Sequence, residues 1–320
     1  MAEIVLGIGT SHAPSLNGSS DRWFASGERD MLGPTGGGMP MNLDLDALVK
    51  ERASWIGKEL TQEVFDRKHE VCQSAIATLL EARKRVAPDV VVIIGDDTHE
   101  VFMPEDHIPA IDVFWGEEIR HVPFGRRGES DAPKTVNLWP VQADLGRHIV
   151  ESLNASAFDV SHSRAIPEGR SIGHAFDFVY GRIFEGHVPP QVPIFLNTYY
   201  APNQPTLSRC YALGKALRRA IDSWDSDKTV AVIGTGGLTH MLIDEELDRG
   251  VLSAMQDKDE TRLTSFPEDR FNFGNGEIRN WIVTAGAMHE SAASMHLVAY
   301  VPCYRSPAGT GCACAFAYWE

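Results

Sequence analysis

Four histidines stand beside apolar segments of the chain: His12, His99, His174 and His240. His240 closes the stretch VIGTGGLTH, in which three glycines within four residues let a backbone and a ligand come close together. Imidazole exchanges protons near neutral pH and is the commonest metal ligand. Because α/β proteins place active sites at the carboxyl ends of strands, this pattern indicates metal-assisted chemistry.

Two imidazoles and one carboxylate on one face of a divalent ion are typical of non-haem Fe(II) oxygenases. Zinc hydrolases use the same kinds of ligand, with water in the open position. His12 is the first candidate, because it follows a predicted strand and Pro14 stiffens its loop. Glu277 is another, at the start of a predicted helix, although the helix dipole alone would favour a carboxylate there.

The remaining metal ligand has several candidates in one short segment. His99 follows a predicted strand, and we expect it to be the second histidine ligand. Asp96, Asp97 and Glu100 surround it, and each of these carboxylates could take its place.

His240 and His174 are the candidates for proton transfer. Stepwise oxygen chemistry needs a base and an acid in different environments. His240 lies in a glycine-rich turn, whereas His174 begins a predicted helix. We expect most of the other histidines to be surface or core residues.

Hydrophobic periodicity assigns these residues to alternating strands and helices. Predicted strands lie at 3–9, 90–94, 108–115, 158–161, 192–197, 229–237, 297–302 and 312–319. Predicted helices lie at 58–86, 140–153, 173–184, 207–224 and 277–295. Residues 17–42 are predicted to form a long loop and residues 116–140 to be irregular, and residues 241–275 are acidic and polar. Loop 17–42 is long enough to cover a site within the chain or across a homodimer.

This alternation favours an α/β fold with a central, largely parallel or mixed sheet flanked by helices. A hydrophobic content of 43% is ample for one large core. We therefore expect residues 1–320 to form a single catalytic domain with long active-site loops.

Composition limits the partners. A net charge of −15 argues against nucleic-acid binding. No apolar run approaches the roughly 20 residues of a membrane span, and no signal peptide is visible, so we expect a cytoplasmic protein. Five cysteines without a CxxC motif predict buried structural thiols rather than disulfides.

Taken together, the motifs resemble those of the class III extradiol ring-cleavage dioxygenases of the protocatechuate 4,5-dioxygenase β-subunit type. The resemblance is carried by TSHAP at 10–14, Gly173-His174, GTGGLTH at 234–240, and EIRNW at 277–281 followed by AGA at 285–287. Their order and spacing match over nearly the whole chain. The turn Trp115-Gly116 and the segment YRSPAGTG at 304–311 are similar to single-subunit members such as 3-O-methylgallate dioxygenase.

The resemblance implies that His12 and Glu277 bind Fe(II), that His240 is the general base, and that His174 is an acid or orients oxygen. It also implies a small aromatic substrate and O2. One departure concerns the second histidine ligand, which in the family directly follows an Asp dipeptide or a similar pair. Here Thr98 intervenes, and His99 comes one position late. A local bulge would restore His99 as the ligand; otherwise Asp97 or Glu100 would have to serve, or iron binding is altered.

Substrate binding has four candidates. Arg305 and Ser306, in a late loop, and Tyr199 or Tyr200 are placed to hold a carboxylate or ring oxygen of the substrate. Arginine suits planar anions.

The expected reaction is Fe(II)-dependent extradiol opening of a catechol-like ring, of the methylgallate, gallate or protocatechuate type or a hydroxypyridone. A homodimer or higher homo-oligomer is expected. The alternatives are a zinc-dependent hydrolase on the same scaffold and a non-catalytic binding homologue.

Overall fold

The computed structural model describes residues 1–33, 43–123 and 135–320. Its strands are β1 (Glu3–Thr10), β2 (Val90–Gly95), β3 (Ile111–Phe114), β4 (Glu118–His121), β5 (Asn137–Pro140), β6 (Ser161–Ser163), β7 (Gln191–Leu196), β8 (Thr229–Thr235), β9 (His240–Leu242), β10 (Met295–Tyr304) and β11 (Thr310–Trp319). Its helices are α1 (Arg22–Met31), α2 (Leu45–Arg52), α3 (Gln62–Val86), α4 (Ala143–Ala155), α5 (His174–Phe178), α6 (Leu207–Ser223), α7 (Glu245–Gln256), α8 (Glu260–Thr264) and α9 (Ile278–Met288). Short 3-10 turns include Phe273–Glu277.

The main sheet is mixed, which confirms the predicted fold class. Its strand order is β10-β11-β1-β8-β2-β7-β3-β6, and β9 pairs with β11. Strands β1, β8, β2 and β7 are parallel neighbours. Their carboxyl ends therefore lie side by side at one edge of the sheet, where an α/β fold offers a crevice for ligands.

Helices cover both faces of this sheet. Every residue of β2 is buried, as its continuous β-branched sequence predicts for a central parallel strand. One apolar cluster packs α4, α6 and α9 on one face, and a second packs α3 and α5 on the other. Burial of each large aliphatic side chain contributes about 1.5–3 kcal/mol. No helix in the described part of the chain is long and apolar enough to cross a membrane.

Local capping explains where the longest helix begins and ends. The Thr61 hydroxyl accepts a hydrogen bond from the backbone N–H of Val64 at 3.3 Å, so α3 begins at Gln62. Ala87 adopts the left-handed conformation with φ of 47°, which together with Pro88 ends the helix. Predicted helix 58–86 is thus correct except for its first turn.

Two regions predicted to be irregular contain regular elements. Helix α1 lies inside predicted loop 17–42, and β4 and β5 lie inside 116–140. The acidic and polar residues 241–275 contain α7 and α8. Polar and glycine-rich composition hid α1, whose Gly27 packs so closely that an added Cβ would lie 1.7 Å from the carbonyl oxygen of Arg305. Residues 34–42 of the predicted loop, and 124–134 between β4 and β5, lie outside the described residues.

Candidate active site

Side chains from separate elements converge at the carboxyl edge of the parallel strands. His12 follows β1, Asp96 follows β2, and the turn after β8 leads to His240. Glu277 ends the 3-10 turn before α9, and His174 begins α5. The structure therefore brings together four of the five residues that the sequence proposed for metal binding and proton transfer. Asp96, one of the carboxylates named as an alternative to His99, joins them.

His12 is held by a hydrogen bond of its ring and by the backbone of the preceding residue, Ser11. The backbone N–H of Ser11 donates to the Ala315 carbonyl at 3.0 Å, which ties this loop to β11. His12 Nδ1 lies 3.0 Å from Thr235 Oγ1. Its Nε2 then points to Glu277 Oε2 at 3.3 Å and to Asp96 Oδ1 at 3.9 Å. The buried Nε2 atom has no hydrogen-bond partner among the described residues.

Glu277 is buried among hydrogen-bond donors. The backbone N–H of Gly237 donates to its Oε2 at 2.7 Å, and the Tyr199 hydroxyl donates to its Oε1 at 2.8 Å. Burial would raise the pKa of Glu277, but the charges of His240 and His12 hold it well below its usual range. The carboxylate is therefore ionised and ready to bind a cation.

Asp96 is fully buried, and one of its oxygens is unpaired. The Asn280 amide donates to Asp96 Oδ1 at 3.3 Å and to the Thr235 carbonyl at 2.8 Å. Asp96 Oδ2 has no hydrogen-bond partner within the described ranges. Burial and the negative charge of Glu277 raise the pKa of Asp96 to about 6.

His174 forms a close pair with Glu100. Its Nδ1 lies 2.5 Å from Glu100 Oε1, while the backbone N–H of Thr98 donates to Glu100 Oε2 at 2.5 Å. Burial opposes the charge on the imidazole, but the hydrogen bond to Glu100 and nearby carboxylates raise the pKa of His174 to about 9. Burial likewise opposes ionisation of Glu100, yet these hydrogen bonds lower its pKa to about 2. The two side chains are an ion pair at neutral pH.

His240 faces Glu277 from the other side. Its Nε2 lies 3.2 Å from Glu277 Oε1 and 3.4 Å from the Tyr199 hydroxyl, and its Nδ1 lies 2.8 Å from the Leu238 carbonyl. Burial lowers the pKa of His240, but the charge of Glu277 outweighs it and raises the value to about 10.

His99 does not join this group. Its ring stacks on Tyr200 with centroids 3.9 Å apart, and its Nδ1 lies 3.0 Å from the Phe102 carbonyl. Its backbone is left-handed, with φ of 68°, so the local turn directs the ring away from the cluster. Asp97 accepts the backbone N–H groups of His99, Val101 and Phe102. Its role is thus to hold the loop.

Of the four predicted substrate-binding residues, Tyr199 contacts the cluster, whereas Tyr200, Arg305 and Ser306 have other partners. Tyr199 reaches Glu277 and His240, whereas Tyr200 contacts the ring of His99. Arg305 forms a two-pronged ion pair with Asp30 of α1, at 2.6 and 3.1 Å. Ser306 is buried and bonds to Thr310 in the β10–β11 turn. The structure does not bring Arg305 or Ser306 into the cluster.

Sequence reasoning missed Asn280 and the Glu100–His174 pairing. Asn280 follows Glu277 by three positions, the spacing that places two helical side chains on one face, so this signal was present in the sequence. The partner of His174 lies 74 positions away and could not be read from spacing.

The five cysteines are buried, free thiols, and Cys312 of β11 lies opposite His240 of β9 in the sheet. Cys72 of α3, Cys303 of β10 and Cys314 of β11 place their sulfur atoms within 4.8 Å of one another. His12, Asp96 and His174 form the other such group of potential ligand atoms within the described ranges.

Comparison with known proteins identifies the family. Residues 59–309 match the family described as the catalytic LigB subunit of aromatic ring-opening dioxygenase. This match spans more than half of the chain, which therefore belongs to that family, in agreement with the resemblance of its motifs.

Individual relatives are similar over shorter stretches. A gallate dioxygenase of Pseudomonas putida is 32% identical over 182 residues, covering 52% of this chain and 52% of the relative. A 2,3-dihydroxyphenylpropionate/2,3-dihydroxicinnamic acid 1,2-dioxygenase of Comamonas testosteroni is 27% identical over 166 residues, covering 52% of this chain and 47% of the relative. The chain thus spans about half the length of these curated relatives. A solved structure of an uncharacterized Escherichia coli K12 protein is 12% identical with a TM-score of 0.49, covering 77% of this chain and 92% of that chain.

Proposed function

We propose that this member of the aromatic ring-opening dioxygenase family is an Fe(II)-dependent extradiol dioxygenase that opens a catechol-like ring with both atoms of O2. One observation carries the proposal. His12 Nε2 and Asp96 Oδ2 are buried polar atoms without hydrogen-bond partners in the described part of the chain, and Glu277 lies beside His12. Unpaired buried polar atoms are costly, and a divalent cation would satisfy both.

His12 and Glu277 would hold the cation. Bound there, Fe(II) supplies open positions where a vicinal diol and O2 can meet, and lowers the pKa of the diol hydroxyls. Thr235 fixes the orientation of the His12 ring, and Gly237 fixes that of the Glu277 carboxylate. Such outer hydrogen bonds keep metal ligands in place.

His240 is proposed as the general base that accepts a substrate hydroxyl proton. The negative charge of Glu277 raises the pKa of His240 to about 10 when no cation is present, so the imidazole holds its proton. Neutralisation of Glu277 by a bound cation removes the main cause of that raised pKa. The neutral ring, oriented through Nδ1 by the Leu238 carbonyl, then accepts a proton at Nε2.

His174 is proposed as the acid. Glu100 keeps its imidazole protonated, and the ring lies edge-on to His12 with centroids 4.8 Å apart. Tyr199 is proposed to contact the ring oxygens of the substrate. Burial and the charge of Glu277 raise its pKa well above the usual range, so it remains a hydrogen-bond donor.

The substrate class proposed is a small aromatic ring with two adjacent oxygens. Similarity to a gallate dioxygenase and to a dihydroxyphenylpropionate dioxygenase supports a polar or acidic catechol. Because the chain spans only about half of these relatives, methylgallate, gallate, protocatechuate and a hydroxypyridone should all be assayed.

The test is an anaerobic reconstitution. Metal-free protein is loaded with Fe(II), mixed with each ring compound under argon, and started with O2. Ring-fission absorbance should rise while O2 is consumed in a one-to-one ratio. A His12→Ala variant should lose bound iron, whereas His296→Ala, a histidine stacked on Tyr318 outside the cluster, should keep it. Iron-loaded protein that consumes no O2 with any of the four compounds would refute the proposal. Hydrolysis by zinc-loaded protein without O2 would instead support the hydrolase alternative.

A further inference from the structure

We propose that Asp96, and not His99, supplies the third protein side chain that binds the metal beside His12 and Glu277. The inference rests on the proposed function, because it concerns the cation of that same site. It changes the ligand set from two imidazoles and one carboxylate to one imidazole and two carboxylates.

Geometry favours Asp96. Ligands on an octahedral ion with bonds of about 2.1 Å lie about 3 Å apart when adjacent and about 4.2 Å apart when opposite. His12 Nε2 lies 3.3 Å from Glu277 Oε2 and 3.9 Å from Asp96 Oδ1. Both separations lie between those two values, so an ion bound to His12 Nε2 could also contact either carboxylate. The ligand atoms of His12 and Asp96 also belong to one group within 4.8 Å of each other.

The hydrogen bonding of Asp96 is that of an oriented ligand. Asn280 donates to Oδ1 and to the Thr235 carbonyl, which fixes the plane of the carboxylate. Oδ2 is buried without a partner among the described residues. Asp96 therefore has one oxygen anchored 3.9 Å from the unpaired His12 Nε2 and a second oxygen left unpaired, which suits a carboxylate that binds a cation.

The neighbouring alternatives are already engaged. Asp97 accepts three backbone N–H groups of its own loop. Glu100 pairs with His174 and with the backbone N–H of Thr98. The His99 ring stacks on Tyr200, with its Nδ1 beside the Phe102 carbonyl. Of the polar side chains from 96 to 100, Asp96 is the one that reaches His12.

The ligand set suggests a suitable probe. With two carboxylates, the formal charges of a divalent ion and its protein ligands sum to zero, and oxygen ligands suit Mn(II) better than imidazoles do. Mn(II) is also stable in air. Its affinity can therefore be measured by equilibrium dialysis on metal-free protein, without substrate or turnover.

The test compares three variants with wild type. Asp96→Asn should weaken Mn(II) binding by about 100-fold or more, since even outer-shell changes cost about 10–100-fold. His99→Ala should stay within about threefold of wild type. Asp112→Asn, a buried aspartate that bonds to Ser163 outside the cluster, is the matched control and should also stay within about threefold. Wild-type affinity in Asp96→Asn, or a 100-fold loss in His99→Ala, would overturn the inference.

A measurement on wild type covers the case in which Asp96→Asn does not fold. Protein labelled with 13C at its aspartate carboxyl carbons is loaded with Mn(II) and studied by electron–nuclear double resonance. A strong 13C coupling, retained in His99→Ala, is expected; its absence would refute aspartate ligation. The ligand assignment and the proposed function can be refuted independently. If metal binding depends on Asp96 but no O2 is consumed, ring opening alone is refuted. If Asp96→Asn keeps its full iron content and opens the ring, the ligand assignment alone is refuted.

Discussion

Replacing Glu100 by glutamine should lower the pKa of His174 in the metal-free protein. Glu100 Oε1 lies 2.5 Å from His174 Nδ1, and both side chains are largely shielded from solvent. With pKa values of about 2 for Glu100 and about 9 for His174, the pair is charged across neutral pH. Glutamine keeps the shape of the side chain and an acceptor oxygen but removes the negative charge.

The magnitude follows from the difference between charged and neutral hydrogen bonds. A bond to a charged group contributes about 1.5–3 kcal/mol, and a neutral bond about 0.5–1.5 kcal/mol. The substitution should therefore cost about 1–2 kcal/mol, which corresponds to roughly one pKa unit. Because Asp96 and Glu277 still act on His174, its pKa should fall from about 9 to about 8 and not to 6.5.

The sign of the pH dependence is also defined. The raised pKa of His174 stabilises the fold fully below pH 6.5, and this contribution is lost as pH rises through about 9. The lowered pKa of Glu100 stabilises the fold above pH 4.5, and this contribution is lost as pH falls through about 2. The free energy of unfolding should therefore differ most between wild type and Glu100→Gln from pH 4.5 to 6.5.

Two assays check this prediction on protein treated with a chelator. Nuclear magnetic resonance of the imidazole gives the titration midpoint of His174, assigned with a His174→Gln variant. Urea unfolding at pH 6 and pH 9.5 gives the stability difference. Glu118→Gln, which changes an exposed carboxylate of β4, is the matched control. An unchanged His174 midpoint, or equal destabilisation at both pH values, would refute the reasoning.

Three further outcomes are expected. His240→Ala should keep bound iron and substrate but lose ring opening by about 100-fold or more, measured as ring-fission rate. Gly9→Ala should lower the free energy of unfolding by about 1–3 kcal/mol in urea, because an added Cβ would lie 2.3 Å from the Trp281 ring. Arg305→Gln should destabilise the fold by about 1–3 kcal/mol through loss of its pair with Asp30, with KM changed less than about twofold.

Each of these has a contrasting result. Turnover at the wild-type rate in His240→Ala would reject it as the base. Gly57→Ala, where an added Cβ meets nothing within 4 Å, is the control for Gly9→Ala and should leave stability within about 0.5 kcal/mol. A KM increase above tenfold in Arg305→Gln, with stability unchanged, would restore the interpretation of Arg305 as a substrate-binding residue.

Much of the fold could be predicted from local signals. The run VVVII before Gly95 predicts a central strand, and β2 is Val90–Gly95. Apolar periodicity predicts a helix over 207–224, and α6 is Leu207–Ser223. These assignments succeed because burial on both faces or on one helical stripe leaves a periodic pattern. Helix α1 was missed because glycine and aspartate are typical of loops, and the places of Gly27 and Asp30 are explained only by contacts with a turn more than 270 positions away.

The residues of the candidate site likewise fall into those that the sequence predicted and those that it did not. Residue type and position after a predicted strand singled out His12 and His240, and the helix-starting position singled out Glu277, because strand ends in a parallel sheet share one edge. The choice between Asp96 and His99 was different. Four ionisable side chains crowd one five-residue loop, and the sequence does not determine which of them turns inward.

What the sequence determined by itself is the family, the α/β class and the set of histidines and carboxylates available for chemistry, because these depend on residue type, order and local periodicity. Tertiary structure alone decided which of these side chains meet. The backbone turn at His99, with φ of 68°, places its ring against Tyr200, while Asn280 from α9 holds Asp96 beside His12. Both outcomes depend on packing between segments about 100 or more positions apart, where spacing along the chain carries no information.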